Sequence, residues 1–414
     1  MFNLLGSVDE ANEVFSHLTR PNVYTWNAII AANARHGQGH EALKLYYQMF
    51  DMNVEPDDYV FASALKGCAS IGALADAKVI HHHMTRTEYE SDIVVTTALM
   101  DAYARCGTVE DVAREFELSP KRDPITWSAA IAGFAQHGRS EEAMKLYQQM
   151  IQANIKPNNI AFVGALQAIA SVGALDQGKI VHAHIRKCSL DRDALVESSL
   201  VSMYAQCRSL GDAVQVFDQA SKKETAVWNS MIAAYAENGR VHEALRVYEQ
   251  MKKVAMDVDG DTYVSLQRAC ASRAALEQGM TLHDTSDHWD HYDKPEVGAA
   301  IIDMYAKCGG DVEDCCAVFD KLPKKELLPW CALIAAYTHL GDAQGALKQF
   351  QEMQVQGLKP NKMAYFNILK ACSMMDEPAQ GKLIHQQIKE SNLEEDPLVG
   401  SALIDMYCKF KCFT

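Results

Sequence analysis

The chain has 414 residues, with 39 Lys and Arg against 54 Asp and Glu, giving a formal net charge of −15. That balance argues against indiscriminate binding to nucleic acid, which needs clustered basic residues to neutralise phosphates, but leaves room for a selective groove. A hydrophobic share of 48% with 22% charged residues describes a folded chain, and no stretch approaches the roughly 18 uninterrupted apolar residues of a membrane span, so no membrane partner is expected.

The opening, MFNLLGSVDEANEVF, is acidic and has neither the basic-then-apolar layout of a secretory signal nor the Arg/Ser bias of a transit peptide. Twelve cysteines without a secretion signal point to free thiols. Beyond the opening the sequence repeats. Trp26, Trp127, Trp228 and Trp330 are separated by 101, 101 and 102 residues. Met49, Met150, Met251 and Met353 keep the same stride, as do His81, His182, His283 and His385. The extra residue in the last interval falls in CGGDVED (308–314), where earlier copies read CGTVED (106–111) and CRSLGD (207–212). One insertion at a turn accounts for it.

Each block divides into three segments, two of equal length and a shorter third, in a 35/35/31 pattern. The first block is 23–57, 58–92 and 93–123; the second is 124–158, 159–193 and 194–224. The third is 225–259, 260–294 and 295–326, carrying the insertion; the fourth is 327–361, 362–396 and the first part of another segment, 397–414. Residues 1–22 read as the back of a short segment, so 23–396 holds eleven complete units with no linker long enough to separate domains. Within 23–57, Trp26, Ile29, Ile30 and Ala34 recur at helical spacing before Gly37 and Gly39, which are expected to break the helix. A second run, Ala42, Leu43, Leu45, Tyr46 and Met49, stops before Pro56. Each segment therefore predicts two helices of about 12 residues. One hairpin cannot bury its own apolar stripe, whereas stacked hairpins form a continuous core. The expected fold is an all-α solenoid.

Three stretches carry a resemblance: ITWSAAIAGFAQHGRSEEAMKLYQQMIQANIKPN (125–158), GALDQGKIVHAHI (173–185) and AIIDMYAKCGGDVEDCCAVFD (300–320). With the alternating lengths, they resemble pentatricopeptide repeats of the plant subclass that alternates P, long and short motifs. Tetratricopeptide repeats, the nearest rival, keep a uniform length of about 34 residues. The resemblance implies a right-handed, tetratricopeptide-like superhelix of stacked helix-turn-helix repeats. It also implies a mitochondrial or chloroplast protein that binds single-stranded organellar RNA for C-to-U editing or other processing.

Such arrays read about one base per repeat with two or three side chains. The resemblance implies that the fifth and last residues of a motif face the base. In the P and short motifs these pairs are Asn27/Asp57, Thr97/Asp123, Ser128/Asn158, Ser198/Glu224, Asn229/Asp259, Ala299/Glu326 and Cys331/Asn361. Asn, Thr and Ser supply short donors and acceptors suited to a base edge. In the long motifs the fifth residues are Ala62, Val163, Val264 and Phe366, none able to hydrogen-bond a base. A small polar residue near a helix start can also act simply as its cap. The second residue, which in the family flanks the base, is Tyr24, Val94, Ile125 and Leu195 early and Ala226, Glu296 and Leu328 later. With Glu296, Ala299 and Cys331 in place, base reading is expected to fade after about residue 290. By the family's correspondence Asn27/Asp57 reads U, Thr97/Asp123 reads G, Ser128/Asn158 reads A and Asn229/Asp259 reads U.

Other signals read as packing. His81-His82-His83 invites a metal, but His81 belongs to the repeating column, which suggests packing between neighbouring long motifs. Cys68, Cys270 and Cys372 share a column with Ile169, as a buried apolar site would. There is no C-x-x-C pair for a zinc clamp. None of the 15 His residues is followed two places on by Glu, so the zinc-deaminase signature is lacking. Walker, G-x-S-x-G and H-E-x-x-H motifs are lacking too. The chain is expected to be no enzyme and to need no metal or cofactor, with any deaminase or other editing factor supplied in trans. A helical scaffold that binds a peptide, or an inactive gene fragment, are the alternatives. The charge of −15 favours the peptide scaffold, the paired polar positions RNA.

Overall fold

A computed structural model describes residues 8–18, 20–119, 123–220, 223–256, 258–272, 275–286, 294–375 and 378–409. Residues 1–7, 19 and 410–414 of the two partial repeats lie outside the described residues. The described residues hold no strand. The chain divides into two compact units, Met1–Ser221 and Lys222–Thr414.

The first unit contains α1 (Val8–Ser16), α2 (Val23–Arg35), α3 (Gly39–Asp51), α4 (Asp58–Ile71), α5 (Leu74–Met84), α6 (Ile93–Cys106) and α7 (Val109–Leu118). It continues with α8 (Pro124–Gln136), α9 (Ser140–Gln152), α10 (Asn159–Val172), α11 (Leu175–Lys187), α12 (Ala194–Gln206) and α13 (Leu210–Gln219). The second unit contains α14 (Thr225–Glu237), α15 (Val241–Lys253), α16 (Gly260–Ser272), α17 (Leu276–Ser286), α18 (Pro295–Cys308) and α19 (Val312–Lys321). It ends with α20 (Leu327–His339), α21 (Ala343–Val355), α22 (Lys362–Cys372), α23 (Pro378–Glu390) and α24 (Pro397–Lys409). From α2 onward, even-numbered helices open a repeat and odd-numbered helices close it.

Within each unit, successive opening helices pack side by side, and most closing helices fit between their own opening helix and the next. This gives two layers with the core between them. The repeating columns line that core. Met49, Met150, Met251 and Met353 are fully buried, as are Ala42, Ala143, Ala244 and Ala346, whose small side chains permit close helix approach. The four Trp residues are buried as well. Trp26, Trp127 and Trp330 take the edge of Phe15, Phe116 and Phe319, with ring centres 4.6–4.8 Å apart. The short segments lose their length in the closing helix, which has 10 residues in α7, α13 and α19 against 13 in α3, α9, α15 and α21.

The inserted residue sits at a turn. α6 ends at Gly107 and Thr108 caps α7 through a reciprocal bond with Asp111. In the third block, Gly309 (φ 89°) and Gly310 separate α18 from Asp311, which caps α19 in the same way with Asp314. The left-handed Gly309 absorbs the extra residue without disturbing either helix.

Two expectations are corrected. Gly37 does break the chain (φ 76°), but Gly39 begins α3 and is buried. There its missing side chain lets α3 press against Gly67 and Ser70 of α4. The His column does not join neighbouring long motifs. Nδ1 of His81, His182, His283 and His385 lies 2.8–2.9 Å from the hydroxyl of Tyr103, Tyr204, Tyr305 and Tyr407, each in the following short segment. The reason is stacking order: only adjacent repeats touch. His83 and His184 instead meet Tyr46 and Tyr147 of the preceding segment at 3.0 and 2.8 Å. His81 and His83 thus face different partners, and the described residues contain no group of three or more His, Cys, Asp or Glu arranged around a metal position.

These pairs make stability pH-dependent. Burial pushes the Tyr204 hydroxyl up to about 12, so it keeps its proton and can donate to a neutral His182. Burial, with the charge of Arg186, holds His182 below its usual value; burial and the Lys187 charge do the same for His184, and burial with His82 and Arg86 for His83. The unfolded chain protonates these groups near pH 6.5 while the folded chain resists. Their contribution is therefore full above pH 6.5 and falls as pH drops towards their lowered native values. Thermal midpoints at pH 8, 7, 6 and 5 should be level at first and then decline, with a shallower decline in His182→Gln. A midpoint rising from pH 7 to 5.5 contradicts this.

Candidate nucleic-acid interface

The opening helices carry the predicted site. Residues two and five of a segment are three apart on one helix and therefore share a face. In the first unit the second-position side chains are Tyr24, Tyr59, Val94, Ile125, Ile160 and Leu195, one on each of α2, α4, α6, α8, α10 and α12. All six are apolar or aromatic and 44–76% exposed. Single exposed apolar residues are ordinary; an uninterrupted row across six packed helices is not. Tyr59 and Ile160 belong to long segments, which the sequence pattern sets aside as unread spacers. In the second unit the corresponding row reads Ala226, Asp261, Glu296, Leu328, Met363 and Leu398, so acidic groups interrupt it on α16 and α18.

The fifth residues lie inside their helices: Asn27 is the fifth residue of α2 and Ser128 the fifth of α8. They are not caps. The caps are the last residues of the preceding segments. Asp57, Asn158, Asp259 and Asn361 each accept from the backbone N–H three residues on, at 2.9 Å, and Asp123 does so from Thr126 at 2.8 Å. Glu224 and Glu326 make no such side-chain bond.

In three P segments the structure brings the fifth and last residues together. The buried Ser128 hydroxyl lies 2.6 Å from Asn158 Oδ1 and 2.5 Å from the Pro124 carbonyl oxygen, and its one hydrogen serves one of them at a time. The Asn229 amide donates to both Asp259 oxygens, at 2.9 and 3.1 Å. The Cys331 thiol donates to Asn361 Oδ1 at 3.5 Å, and burial, which pushes that thiol up to about 11, keeps the hydrogen on it. Asn27 behaves differently: its Oδ1 accepts from the Ser63 hydroxyl at 3.0 Å. In the short segments, the Ser198 hydroxyl turns back to the Leu195 carbonyl at 3.0 Å, and Ala299 is buried. The Thr97 Oγ1 is buried without a hydrogen-bond partner. A hydroxyl in that state costs about 1–3 kcal/mol, and because the oxygen is buried it is closed to an outside partner unless the side chain turns.

Electrostatics sharpen the Asn229 site. Burial alone would push the Asp259 carboxyl up, but hydrogen bonds from the Thr262 N–H, the Thr262 hydroxyl and Asn229, with the charge of Lys294, hold it below the usual carboxylate range. Asp259 is therefore ionised at neutral pH. Sequence reasoning missed Thr262 and Ser63. The visible signal for Thr262 is that its column otherwise holds Val60, Ala161 and Ala364.

Paired α-helical repeats that present one register of side chains along their opening helices define a helical-repeat protein with a modular recognition face. Comparison with known proteins makes the class specific. The model described as "PPR repeat family" matches residues 21–70, 122–170 and 223–272, in step with the 101-residue stride, and the "Pentatricopeptide repeat domain" model matches 310–375. The chain belongs to the pentatricopeptide repeat family. A pentatricopeptide repeat-containing protein of Arabidopsis thaliana is 32% identical over 407 residues, covering 98% of this chain and 49% of that protein. A chloroplastic relative from the same plant is 32% identical, covering 89% of this chain and 59% of its own length. A mitochondrial one is 31% identical, with 99% and 60% covered. The chain thus spans about half to three fifths of the relatives it matches. Among solved structures, PPR10 in complex with an 18-nucleotide psaJ RNA element matches with a TM-score of 0.55 at 18% identity, covering 97% of this chain and 60% of that one. That likeness concerns the fold.

Proposed function

We propose that the chain binds single-stranded RNA base by base along its opening helices, without catalysing a reaction itself. The observation that carries this is the unbroken row Tyr24, Tyr59, Val94, Ile125, Ile160 and Leu195, running beside the polar fifth-position residues of the P and short motifs. Apolar and aromatic faces at regular intervals suit bases, which all offer a π-face, and the neighbouring Asn, Thr and Ser suit their edges. The RNA-bound PPR10 structure and the family membership support the reading. We further propose the alternating P, long and short subclass, work in a chloroplast or mitochondrion, and a role guiding C-to-U editing by a deaminase acting in trans. Peptide binding is the second reading, favoured by the net charge of −15 and by Asp261 and Glu296 in the second unit's row.

With RNA running 5′ to 3′ along the chain, the proposed register is U-n-G-A-n-n-U. Fluorescence anisotropy with that oligonucleotide should show binding that weakens as salt rises. Thr97→Asn should shift preference at the third base from G towards U by about 1 kcal/mol or more. The salt slope should stay unchanged because no phosphate contact is altered. An unchanged G/U ratio on a protein that binds RNA would remove Thr97 from the readers. Binding of a basic-to-neutral peptide library but of no RNA would favour the scaffold.

A further inference from the structure

The polar fifth-position readers stop at Asn229. On the next four opening helices, α16, α18, α20 and α22, that position holds Val264, Ala299, Cys331 and Phe366. Residues two, five, nine and thirteen of a segment are three or four apart in turn and so share one helix face. Further along that face, the same four helices carry Arg268 and Lys370 at the ninth position and Lys307 and His339 at the thirteenth. All four side chains are exposed. Only Lys307 has a carboxylate partner among the described residues, Asp303 at 2.8 Å. In the first unit, Arg35, Lys66 and Arg105 hold this register on α2, α4 and α6, where Asn27 and Thr97 supply readers, and Gln136, Gln167 and Gln206 hold it on α8, α10 and α12.

Small side chains at the reading positions leave room beside these cations. Ala299, Cys331 and Phe366 line a cavity of about 510 Å³, together with Leu328 and the four residues Arg268, Lys307, His339 and Lys370. That volume falls among clefts that hold small ligands. Glu296 lines it too, but at the second position of α18, a helix length of about 16 Å from Lys307. Cations near a helix C-terminus also offset the helix dipole, yet α8, α10 and α12 end without any, so the repeat does not require them. No fifth-position group in this groove can tell one base edge from another. The cations suit phosphates, and Phe366 and Leu328 offer apolar surface to any base.

We infer that this groove holds single-stranded RNA by its phosphates without choosing among bases, and so extends the bound stretch past the read register by one nucleotide per repeat. This rests on the RNA binding proposed above. The test uses the full chain and fluorescent RNAs: the seven-nucleotide register alone, and the same RNA followed at its 3′ end by four A, four C or four U. Each tail should raise affinity about tenfold or more, the three agreeing within about twofold, with a steeper salt dependence. Arg268→Gln combined with Lys370→Gln should remove most of that gain for all three tails and make the salt slope shallower by about 1–2. The conservative pair Arg268→Lys and Lys370→Arg should keep it. Tails that add nothing, tails that differ among themselves by more than about fivefold, or a gain that survives the double Gln substitution each overturn the inference. Tails that add nothing while an acidic peptide binds, and is lost on the double Gln substitution, give the groove to a protein partner and overturn it as well. A scrambled register that binds as tightly as the proposed one, with the tail gain and its loss as expected, removes the reading and leaves the inference standing. If no RNA binds, both fall.

Discussion

Trp127→Ala should destabilise the first unit by about 3–5 kcal/mol. The indole is almost completely buried between α7 and α8 and meets Phe116 edge-on at 4.8 Å. Neighbouring repeats relax only partly into such a cavity, and edge-to-face contact adds its own share. The companion substitution is more discriminating. The Trp127 Nε1 is buried with no hydrogen-bond acceptor, so Trp127→Phe loses volume without losing a bond. It should cost only about 1–2 kcal/mol. Urea denaturation reads both values. Because a repeat contacts only its neighbours, hydrogen exchange should rise first in α7 to α10. Equal costs for Phe and Ala would mean that the indole N–H has a partner after all.

Gly39→Val should cost at least about 1–3 kcal/mol through overpacking. A Cβ at Gly39 would lie 2.5 Å from Ser70 Oγ, 2.6 Å from the Gly67 carbonyl oxygen and 2.6 Å from Ile71 Cγ2. The serine can turn away, but the carbonyl is helix backbone and moves only if α3 shifts from α4. That register holds Ser140, Val241 and Ala343 in the later blocks, so the intolerance belongs to this contact and not to the repeat. Thermal unfolding of Gly39→Val beside Ser140→Val measures the difference; equal melting shifts would show that α3 can move freely.

The legible part of this protein was its period. The stride of 101, and within it the alternation of two longer segments with a shorter one, were readable because every copy solves the same packing problem. Burial of Trp127, Met150 or Ala143 therefore leaves an identical mark in each block. The insertion at Gly309–Gly310 could be placed in a turn, because helical spacing on either side leaves nowhere else for it. The candidate site was legible only in outline. The fifth and last positions could be listed, but their joining could not be read: Ser128 to Asn158 and Asn229 to Asp259 connect one opening helix to the start of the next, 30 residues on and past an entire closing helix.

Local spacing and repetition are enough to place the helices and the columns that enter the core. What each polar side chain meets depends on how neighbouring helices are set against one another. Gly39 reads as a helix breaker until α4 is set against it. His81 reads as half of a long-to-long contact until Tyr103 appears 2.9 Å away, and Thr262 is an ordinary helix residue until its hydroxyl is found on Asn229. Hydrogen bonds form over about 3 Å and depend on angle, so a pattern of residue types along one chain cannot specify them. The separation between neighbouring helices does.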